Sequence, residues 1–229
     1  MNSLQRARTH VLQQIQEACQ QFDRDESKVT LLAVSKTQPS AVLREMYQAG
    51  QRAFGENYLQ EALDKMQALA DLDMEWHFIG HVQRNKTKHL AEKFAWVHGV
   101  DRLIIAQRLS SQREAHAISL NICVQVNIDA QDTKDGCQPS EVAELVHQIS
   151  RLPHLSLRGL MVIPAPNNPQ AFIDAKQLFE DVRVQHAQPE LWDTLSMGMS
   201  ADMQAAIAAG STLVRVGTAL FGARDYAQT

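Results

Sequence analysis

One lysine stands where an apolar stretch of the chain ends. Lys36 follows residues 29–35, which are mostly aliphatic or β-branched and are typical of a strand buried on both faces. A charged side chain is costly to bury unless it is paired or neutralised, and partial burial lowers the pKa of an ammonium group, so that the free amine can attack an aldehyde. The alternative is that Lys36 already lies in the solvated loop before Pro39 and does no chemistry. Position alone does not separate these two interpretations.

Two glycine-containing segments in the last part of the chain could bind an anion. In residues 195–201, Gly198 permits a close approach of the backbone to a ligand, and Ser200 is placed to cap the helix that follows. Gly217 and Thr218 precede a second, short helix. Backbone N–H groups at helix N-termini bind anions, although helix capping alone also explains Ser200.

Arg215 lies within an apolar segment, between Val214 and Val216. A guanidinium group in an apolar strand requires a buried acceptor, such as a carboxylate or a ring nitrogen. The sequence leaves open whether that acceptor belongs to a ligand or to an internal salt bridge.

These residues must be positioned by the elements around them, and strand-like segments alternate with helix-like ones along the chain. After a helix over residues 3–21, short β-branched runs alternate with longer segments that have helical periodicity. The predicted strands are 29–35, 52–54, 75–79, 96–100, 121–128, 157–163, a seventh that ends near residue 195, and 212–216. The predicted helices are one with Pro39 as its first residue that ends near Gly50, 57–70, 84–93, one from 102, one from 139, 169–186, 201–209 and 218–221.

Eight such strand–helix units predict a closed parallel (β/α)8 barrel of the TIM type with an extra N-terminal helix, and an open doubly wound α/β sheet is the competing arrangement. No linker or change of composition divides the chain, so we expect residues 1–229 to form a single barrel domain without a C-terminal β domain. In such barrels the loops after strands 7 and 8 frequently bind phosphate. Both glycine-containing segments fall there, which predicts a phosphorylated ligand.

The overall composition limits the classes of function. With 45% hydrophobic residues, 21% charged residues and a net charge of −4, the chain can bury a normal core and has no electrostatic attraction to nucleic acid or to an anionic membrane. The sequence contains neither a signal peptide nor a membrane span, so we expect a cytoplasmic protein. Three distant cysteines indicate neither a disulfide framework nor a zinc site, and Cys123 is expected to be a buried, inert thiol.

Several segments, taken together and in order, resemble the pyridoxal phosphate homeostasis protein family, which is related in fold to the barrel domain of alanine racemase. The resemblance covers nearly the whole chain and rests on LLAVSKT at 31–37, FGENY at 54–58, WHFIG at 76–80, NK at 85–86, RGLM at 158–161, LSMGMSADM at 195–203 and VRVGTALFGAR at 214–224. It implies a barrel like that of the fold type III proteins, which bind pyridoxal 5′-phosphate (PLP).

The resemblance also implies that PLP is the cofactor and assigns residues to its ring. Lys36 would hold the cofactor covalently as a Schiff base. Arg215 would face the pyridine nitrogen, and Asn57 would line the side of the ring.

The same resemblance divides the phosphate contacts between the two glycine-containing segments. Ser200 and the Met199 backbone would bind the phosphate from one side, and Gly217 and Thr218 from the other. Lys134 matches a lysine-x-glycine element after strand 5. It is either a second amine near the mouth of the barrel or an ordinary solvated loop lysine.

One segment departs from the family pattern. Between Gly80 and the NK pair, where a proline, an apolar residue, glutamine and a small residue are expected, the chain reads HVQR, so His81 and Arg84 are unusual. His77 and His81 have the spacing of two metal ligands on a helix, but this segment is predicted to be strand and loop. We therefore predict no metal site.

The resemblance favours a binding protein over an enzyme. An arginine at the pyridine nitrogen disfavours protonation of the ring and weakens carbanion stabilisation. Racemases of this fold also use an arginine, but they add a second domain and a tyrosine from a partner subunit, and we expect this chain to lack that second domain. We expect a non-catalytic, monomeric carrier that stores PLP reversibly and delivers it to apo forms of PLP-dependent enzymes. The alternatives are a weak amino-acid racemase and, in another class, a Schiff-base sugar-phosphate aldolase.

Overall fold

The computed structural model describes residues 2–114, 117–131 and 133–222 and contains, in this part of the chain, eight strands and nine α-helices. The strands are β1 Thr30–Val34, β2 Ala53–Glu56, β3 Glu75–Phe78, β4 Trp96–Val100, β5 Leu120–Val126, β6 Leu155–Val162, β7 Thr194–Ser196 and β8 Leu213–Val216. The helices are α1 Ser3–Gln21, α2 Ser40–Gln48, α3 Leu59–Ala68, α4 Thr87–Lys93, α5 Leu103–Gln112, α6 Val142–Ile149, α7 Gln170–Val182, α8 Met203–Ala208 and α9 Thr218–Phe221. Ala223 and Arg224, which end the segment 214–224, lie outside the described residues.

The strands form a closed barrel in which each strand pairs in parallel with its neighbours along the chain. β1 pairs with β2 on one side, and the pairing of Thr30 with Leu213 joins it to β8 on the other. This confirms the predicted (β/α)8 barrel and rules out the open doubly wound sheet. Because the strands are parallel, their C-terminal ends all meet at one mouth of the barrel.

The main hydrophobic core lies between the barrel and its helices. Strands direct alternate residues outward, and each helix buries one face against them. In α6, Val142, Val146 and Ile149 recur at helical spacing and are all buried. Burial of apolar surface contributes roughly 25 cal/mol per Å² to folding, so this layer supplies the dominant stabilising contribution.

The interior of the barrel is filled separately from that core. Two small apolar clusters occupy it, one formed by Leu32, Ala53, Ile79 and Leu213 and the other by Trp96, Cys123 and Met161. Between them lie polar side chains from β3, β4, β7 and β8, which are described below. The interior is therefore packed rather than open, and its polar residues need partners within it.

Three expectations about cysteines, metals and membranes can be compared with the structure. All three cysteines are free and buried, and burial raises the pKa of Cys123 to about 12, as expected of an inert thiol. Among the described residues, no group of three or more histidine, cysteine or acidic side chains is arranged to hold a metal ion. Within the same residues, every helix is too short or too polar to cross a lipid bilayer.

Most helices begin one to three residues after the predicted start, and two of these differences have a visible physical cause. Pro39 is the N-cap of α2 and not its first residue, because its ψ of 152° is extended, while Gly50 does follow the helix with a φ of 98°. The helix predicted from residue 201 begins at Met203, and its N-cap is Asp202, so the prediction that Ser200 caps it is wrong. The physical reason is a turn in which Asp202 Oδ1 accepts a hydrogen bond from the Met199 N–H at 2.6 Å.

Candidate functional site

A cavity of about 260 Å³ opens at the mouth where the C-terminal ends of the strands meet. It brings together all seven residues that the sequence predicted to bind a cofactor, which are Lys36, Asn57, Met199, Ser200, Arg215, Gly217 and Thr218. Val34, Ile79, Ile163 and Ala201 complete its lining. Sequence reasoning missed these four, because an apolar run does not reveal which of its residues will face a ligand.

Lys36 lies two residues after the end of β1 and is partly buried in the cavity wall. Hydrogen bonds hold its loop on both sides. The Ser35 N–H donates to the Gly55 carbonyl oxygen at 3.0 Å, and the Thr37 N–H donates to the Glu61 carboxylate at 2.6 Å. Thr37 has a φ of 66°, a strained conformation for a β-branched residue, so these contacts fix a loop that would otherwise relax.

Three charged residues, Glu56, Glu61 and Lys65, pack behind this loop between β2 and α3, and we call them the loop clamp. Lys65 Nζ donates to the Ser35 carbonyl oxygen and to Glu56 Oε1, both at 2.7 Å, and to Glu61 Oε1 at 2.5 Å. The Lys65 and Glu56 side chains are only 5% and 0% exposed. Burial raises the pKa of Glu56, and the ammonium group of Lys65 opposes that rise. Sequence reasoning missed the clamp, because Lys65 reads as an ordinary helix residue.

The loops after β7 and β8 meet on another side of the cavity. Ser200 Oγ accepts a hydrogen bond from the Ala219 N–H at 3.4 Å, so the two segments predicted to bind a phosphate are adjacent. Gly198 has a φ of 93°, and a Cβ atom at this position would lie 2.5 Å from that of Ala206. Only glycine fits this turn.

Arg215 lines the inner end of the cavity and is 4% exposed. Its Nη1 donates to Ser196 Oγ at 2.8 Å, and its Nη2 donates to the Val162 carbonyl oxygen at 2.9 Å. The buried acceptor expected from the sequence is thus a hydroxyl and a carbonyl group, and the internal salt bridge considered as an alternative is not formed with any described residue. Burial lowers the pKa of Arg215 to about 10, which leaves the guanidinium charged at neutral pH.

A line of hydrogen-bonded side chains continues from Ser196 through His98 and His77 to Glu75, and we call it the barrel relay. Ser196 Oγ lies 3.1 Å from His98 Nδ1, and His98 Nε2 lies 3.0 Å from His77 Nδ1. His77 Nε2 lies 2.8 Å from Glu75 Oε1. Burial lowers the pKa of both histidines. Sequence reasoning weighed His77 only as a metal ligand and passed over His98, although one histidine in each of two apolar strands was an available signal.

Asn57 gives a test of fit that does not depend on resemblance. It lines the cavity, and its buried Oδ1 has no hydrogen-bond partner among the described residues. A buried acceptor without a partner is rare in native proteins, so this amide is available to a ligand. With the amine of Lys36 and the guanidinium of Arg215, the lining suits a ligand that carries an aldehyde, a ring nitrogen and a phosphate, as PLP does.

Two residues that the sequence left open lie near the rim. Lys134 Nζ donates to Asp129 Oδ2 at 2.7 Å and to the carbonyl oxygen of Ile163, a lining residue, at 3.0 Å. Lys134 is therefore at the mouth of the cavity, where it is paired with a carboxylate. His81 Nδ1 lies 3.0 Å from Asp135 Oδ1 in the loop after β5, so the unusual histidine connects two loops of the rim.

Fold and site define a class of protein. The family model for the N-terminal domain of alanine racemase matches residues 10–225. The alanine racemase of Corynebacterium glutamicum has a similar structure, with a TM-score of 0.72, 15% identity and coverage of 98% of this chain and 62% of that one. At that identity the likeness shows the fold alone.

Relatives of higher sequence identity indicate the family. The pyridoxal phosphate homeostasis protein of Pseudomonas aeruginosa is 53% identical over 221 residues, 94% of each chain. The structure of PipY of Synechococcus elongatus PCC7942 with PLP bound has a TM-score of 0.79 and 37% identity, and it covers 91% of this chain and 100% of that one. The chain belongs to the pyridoxal phosphate homeostasis protein family.

Proposed function

We propose that this chain binds PLP covalently through Lys36 and acts in PLP homeostasis as a reversible store that delivers the cofactor to apo forms of PLP-dependent enzymes. The observation that carries the proposal is that Lys36 and Arg215 line one cavity of about 260 Å³. The first supplies a nucleophilic amine, and the second supplies a cation with several donors. Pyridoxal phosphate homeostasis proteins and the PLP-bound PipY structure are similar to this chain, which supports the choice of ligand.

Each lining residue has a role in this proposal. Lys36 would hold PLP through a Schiff base between Nζ and the aldehyde carbon, with loss of the aldehyde oxygen as water, and Arg215 would donate to the pyridine nitrogen. Asn57 would line the side of the ring. Ser200, Gly217 and Thr218 would bind the phosphate. The Met199 N–H donates to Asp202 Oδ1 in this structure and would have to leave that partner to join them. When bound, PLP supplies an aldehyde that is exchanged between amines and a ring that accepts electron density.

The lining also supports a carrier rather than an enzyme. Apart from Lys36, no lining residue among those described is a lysine, histidine, tyrosine, cysteine or carboxylate that could move a proton at neutral pH. Arg215 stays charged and disfavours protonation of the ring nitrogen, which weakens carbanion stabilisation. We further propose that the protein is a single-domain monomer, which light scattering coupled to size-exclusion chromatography would test.

The absorbance spectrum tests the covalent site. Addition of PLP to the purified protein should give a near-visible band that borohydride bleaches. Lys36→Ala should abolish this band, whereas Lys88→Ala, on the exposed side of α4, should retain it. A band of equal intensity in Lys36→Ala would overturn the assignment of Lys36.

Two further measurements test the carrier role. Single-enantiomer amino acids incubated with the PLP-bound protein in deuterated water should show no appreciable exchange of the α-proton. Inversion with exchange would make the protein a racemase. Incubation with an apo form of a PLP-dependent enzyme should restore that enzyme's activity, and no transfer above the rate of free PLP release would exclude direct delivery.

A further inference from the structure

The barrel relay crosses the interior from the cofactor cavity to the opposite mouth. Arg215 and Ser196 lie at the cavity end, and His98 and His77 lie in the middle. At the far end, Glu75 has a side chain that is 49% exposed and lines a second cavity of about 400 Å³. One continuous line of hydrogen bonds thus joins a buried cation to a carboxylate in contact with water.

With an ionised Glu75, whose carboxylate only accepts, and two neutral histidines, the direction of every hydrogen bond on the line is fixed. Arginine has only donors, so Ser196 Oγ accepts from Arg215, and the hydroxyl hydrogen is directed to His98 Nδ1. His98 then carries its hydrogen on Nε2 and donates to His77 Nδ1. His77 in turn donates from Nε2 to the Glu75 carboxylate. In this arrangement both histidines are neutral and every polar atom on the line has a partner.

The surrounding charges favour the same arrangement. Outside the relay, the charged or titratable groups that face it are Lys28, Cys123, Arg158, Asp193 and Asp202. Arg158 and Asp193 pair with each other at 2.5 Å, and the Cys123 thiol is neutral because its pKa is raised to about 12. Arg215 therefore remains the nearest buried cation, and a second positive charge on His98 would be repelled by it.

We propose that Ser196, His98 and His77 are positioning residues that hold the Arg215 guanidinium at the inner end of the cofactor cavity and connect it to the Glu75 carboxylate at the opposite mouth. Each hydrogen bond turns its electron-rich end towards Arg215, so the line stabilises a cation that has no carboxylate in contact. The proposal rests on the proposed function in one respect, namely that Arg215 contacts the bound cofactor.

The tautomers of the two histidines can be measured without any cofactor. Long-range ¹⁵N-edited NMR of the full chain at pH 7, with no PLP added, should show Nδ1 unprotonated and Nε2 protonated on both His77 and His98. An imidazolium at either position, or a hydrogen on His98 Nδ1, would overturn the relay. This result does not depend on PLP binding, so it separates failure of the relay from failure of the proposed function.

Removal of one relay hydroxyl tests whether the line positions Arg215. Ser196→Ala should weaken PLP binding by about tenfold, the effect of losing roughly one hydrogen bond to a charged group, and should shift the absorbance maximum of bound PLP. The matched control is Ser110→Ala, which removes a buried hydroxyl that donates to the Pro153 carbonyl oxygen at 2.7 Å, far from the relay. Equal affinity and an equal spectrum in the two variants would overturn the positioning role.

A substitution at Glu75, the exposed end of the barrel relay, tests the same proposal if Ser196→Ala does not fold. Glu75→Gln keeps an acceptor for His77 Nε2 but removes the charge. It should move the ¹⁵N resonances of both His77 and His98 and weaken PLP binding by about twofold. The effect on binding is small because a neutral acceptor only weakens the hydrogen bond from His77, and this change reaches Arg215 through three further hydrogen bonds. Unchanged His98 resonances in Glu75→Gln would show that Glu75 does not influence His98, and would overturn the proposed connection between Glu75 and Arg215.

Discussion

The two sides of the cavity at the barrel mouth stabilise buried charge in different ways. Behind Lys36, outside the barrel wall, the loop clamp offsets the ammonium of Lys65 with two carboxylates in direct contact. Behind Arg215, inside the wall, the cation contacts only a hydroxyl and a carbonyl group, and the nearest carboxylate on the line is three side chains further away. A helix can bring a charged partner to the outer surface of a strand. In the interior of this barrel the groups in contact with Arg215 are a hydroxyl and a carbonyl, so neutral dipoles take the place of a counter-charge.

The largest effect should come from breaking the loop clamp. Lys65→Met leaves the Glu56 carboxylate buried without its cation, and Glu56 Oε2 already has no hydrogen-bond partner among the described residues. Breaking a buried ion pair costs about 3–5 kcal/mol, so we expect a loss of this size in the free energy of unfolding, measured with urea. Lys176→Met, in the exposed i,i+4 pair with Glu180, is the control and should change stability by less than about 0.5 kcal/mol. A loss below about 1 kcal/mol in Lys65→Met would mean that the clamp is not a buried ion pair of this kind.

The barrel relay should be less costly to interrupt. His98→Leu removes the partner of the Ser196 hydroxyl and of His77 Nδ1 but leaves no charge without its counter-charge. One or two unsatisfied neutral groups cost about 1–3 kcal/mol each, offset in part by the better burial of leucine, so we expect a loss of about 2 kcal/mol. Urea unfolding of both variants shows which one loses more stability. A larger loss in His98→Leu than in Lys65→Met would contradict the expectation that the clamp is the more costly of the two to break.

The contributions of the barrel relay and of the loop clamp to the free energy of unfolding should change with pH in opposite directions. Burial lowers the pKa of His77 and His98 below the ordinary 6.5, so the unfolded chain takes up protons first, and the stability that these residues contribute is present above pH 6.5 and lost as the pH falls below it. Each histidine changes the free energy of unfolding by at most about 1.4 kcal/mol per pH unit. The pKa of Glu56 is raised above 4.5, so its contribution is fully present below pH 4.5 and is lost as the pH rises.

Urea unfolding at a series of pH values separates these contributions. Between pH 6.5 and 5 we expect the wild type to lose stability, and the curve of His98→Leu to be flatter because one of the two histidines is gone. Glu56→Gln should not flatten the curve, because the contribution of Glu56 changes with pH in the opposite direction to that of the histidines. Parallel curves for wild type and His98→Leu would show that His98 does not titrate in the unfolding reaction.

The smallest effect is expected at the exposed rim. His81 and Asp135 form a pair in which both side chains are about half exposed, so Asp135→Ala should change the free energy of unfolding by no more than about 0.5 kcal/mol. PLP affinity should stay within about twofold of the wild type, because this pair does not line the cavity. A tenfold loss of affinity would instead give the unusual histidine a role in the site.

Sequence reasoning reached the parts of the molecule that are determined locally. The strands are short apolar runs, and Lys36, Asn57, Ser200 and Thr218 all lie just after strands, where a barrel collects them at one mouth. The start of α8 was missed because a side chain–backbone turn at Asp202 competes with capping by Ser200.

The barrel relay and the loop clamp could not be predicted in the same way. The contact between His98 and Ser196 spans the barrel interior, and it depends on the register of four strands rather than on any local pattern. Lys65 differs from a surface lysine only through what α3 packs against. These contacts join residues that are distant in the sequence, so they can be recognised only when the closed barrel is known.

The closure of the barrel between β1 and β8 also has a consequence for synthesis of the protein. Lys36 follows β1 and Arg215 lies in β8, so β8 and its guanidinium leave the ribosome long after Lys36, although the two strands are direct neighbours. A nascent chain that lacks β8 has the amine of Lys36 but neither Arg215 nor the loop of Gly217 and Thr218. Under the proposed function, we therefore expect tight PLP binding only once β8 has paired with β1.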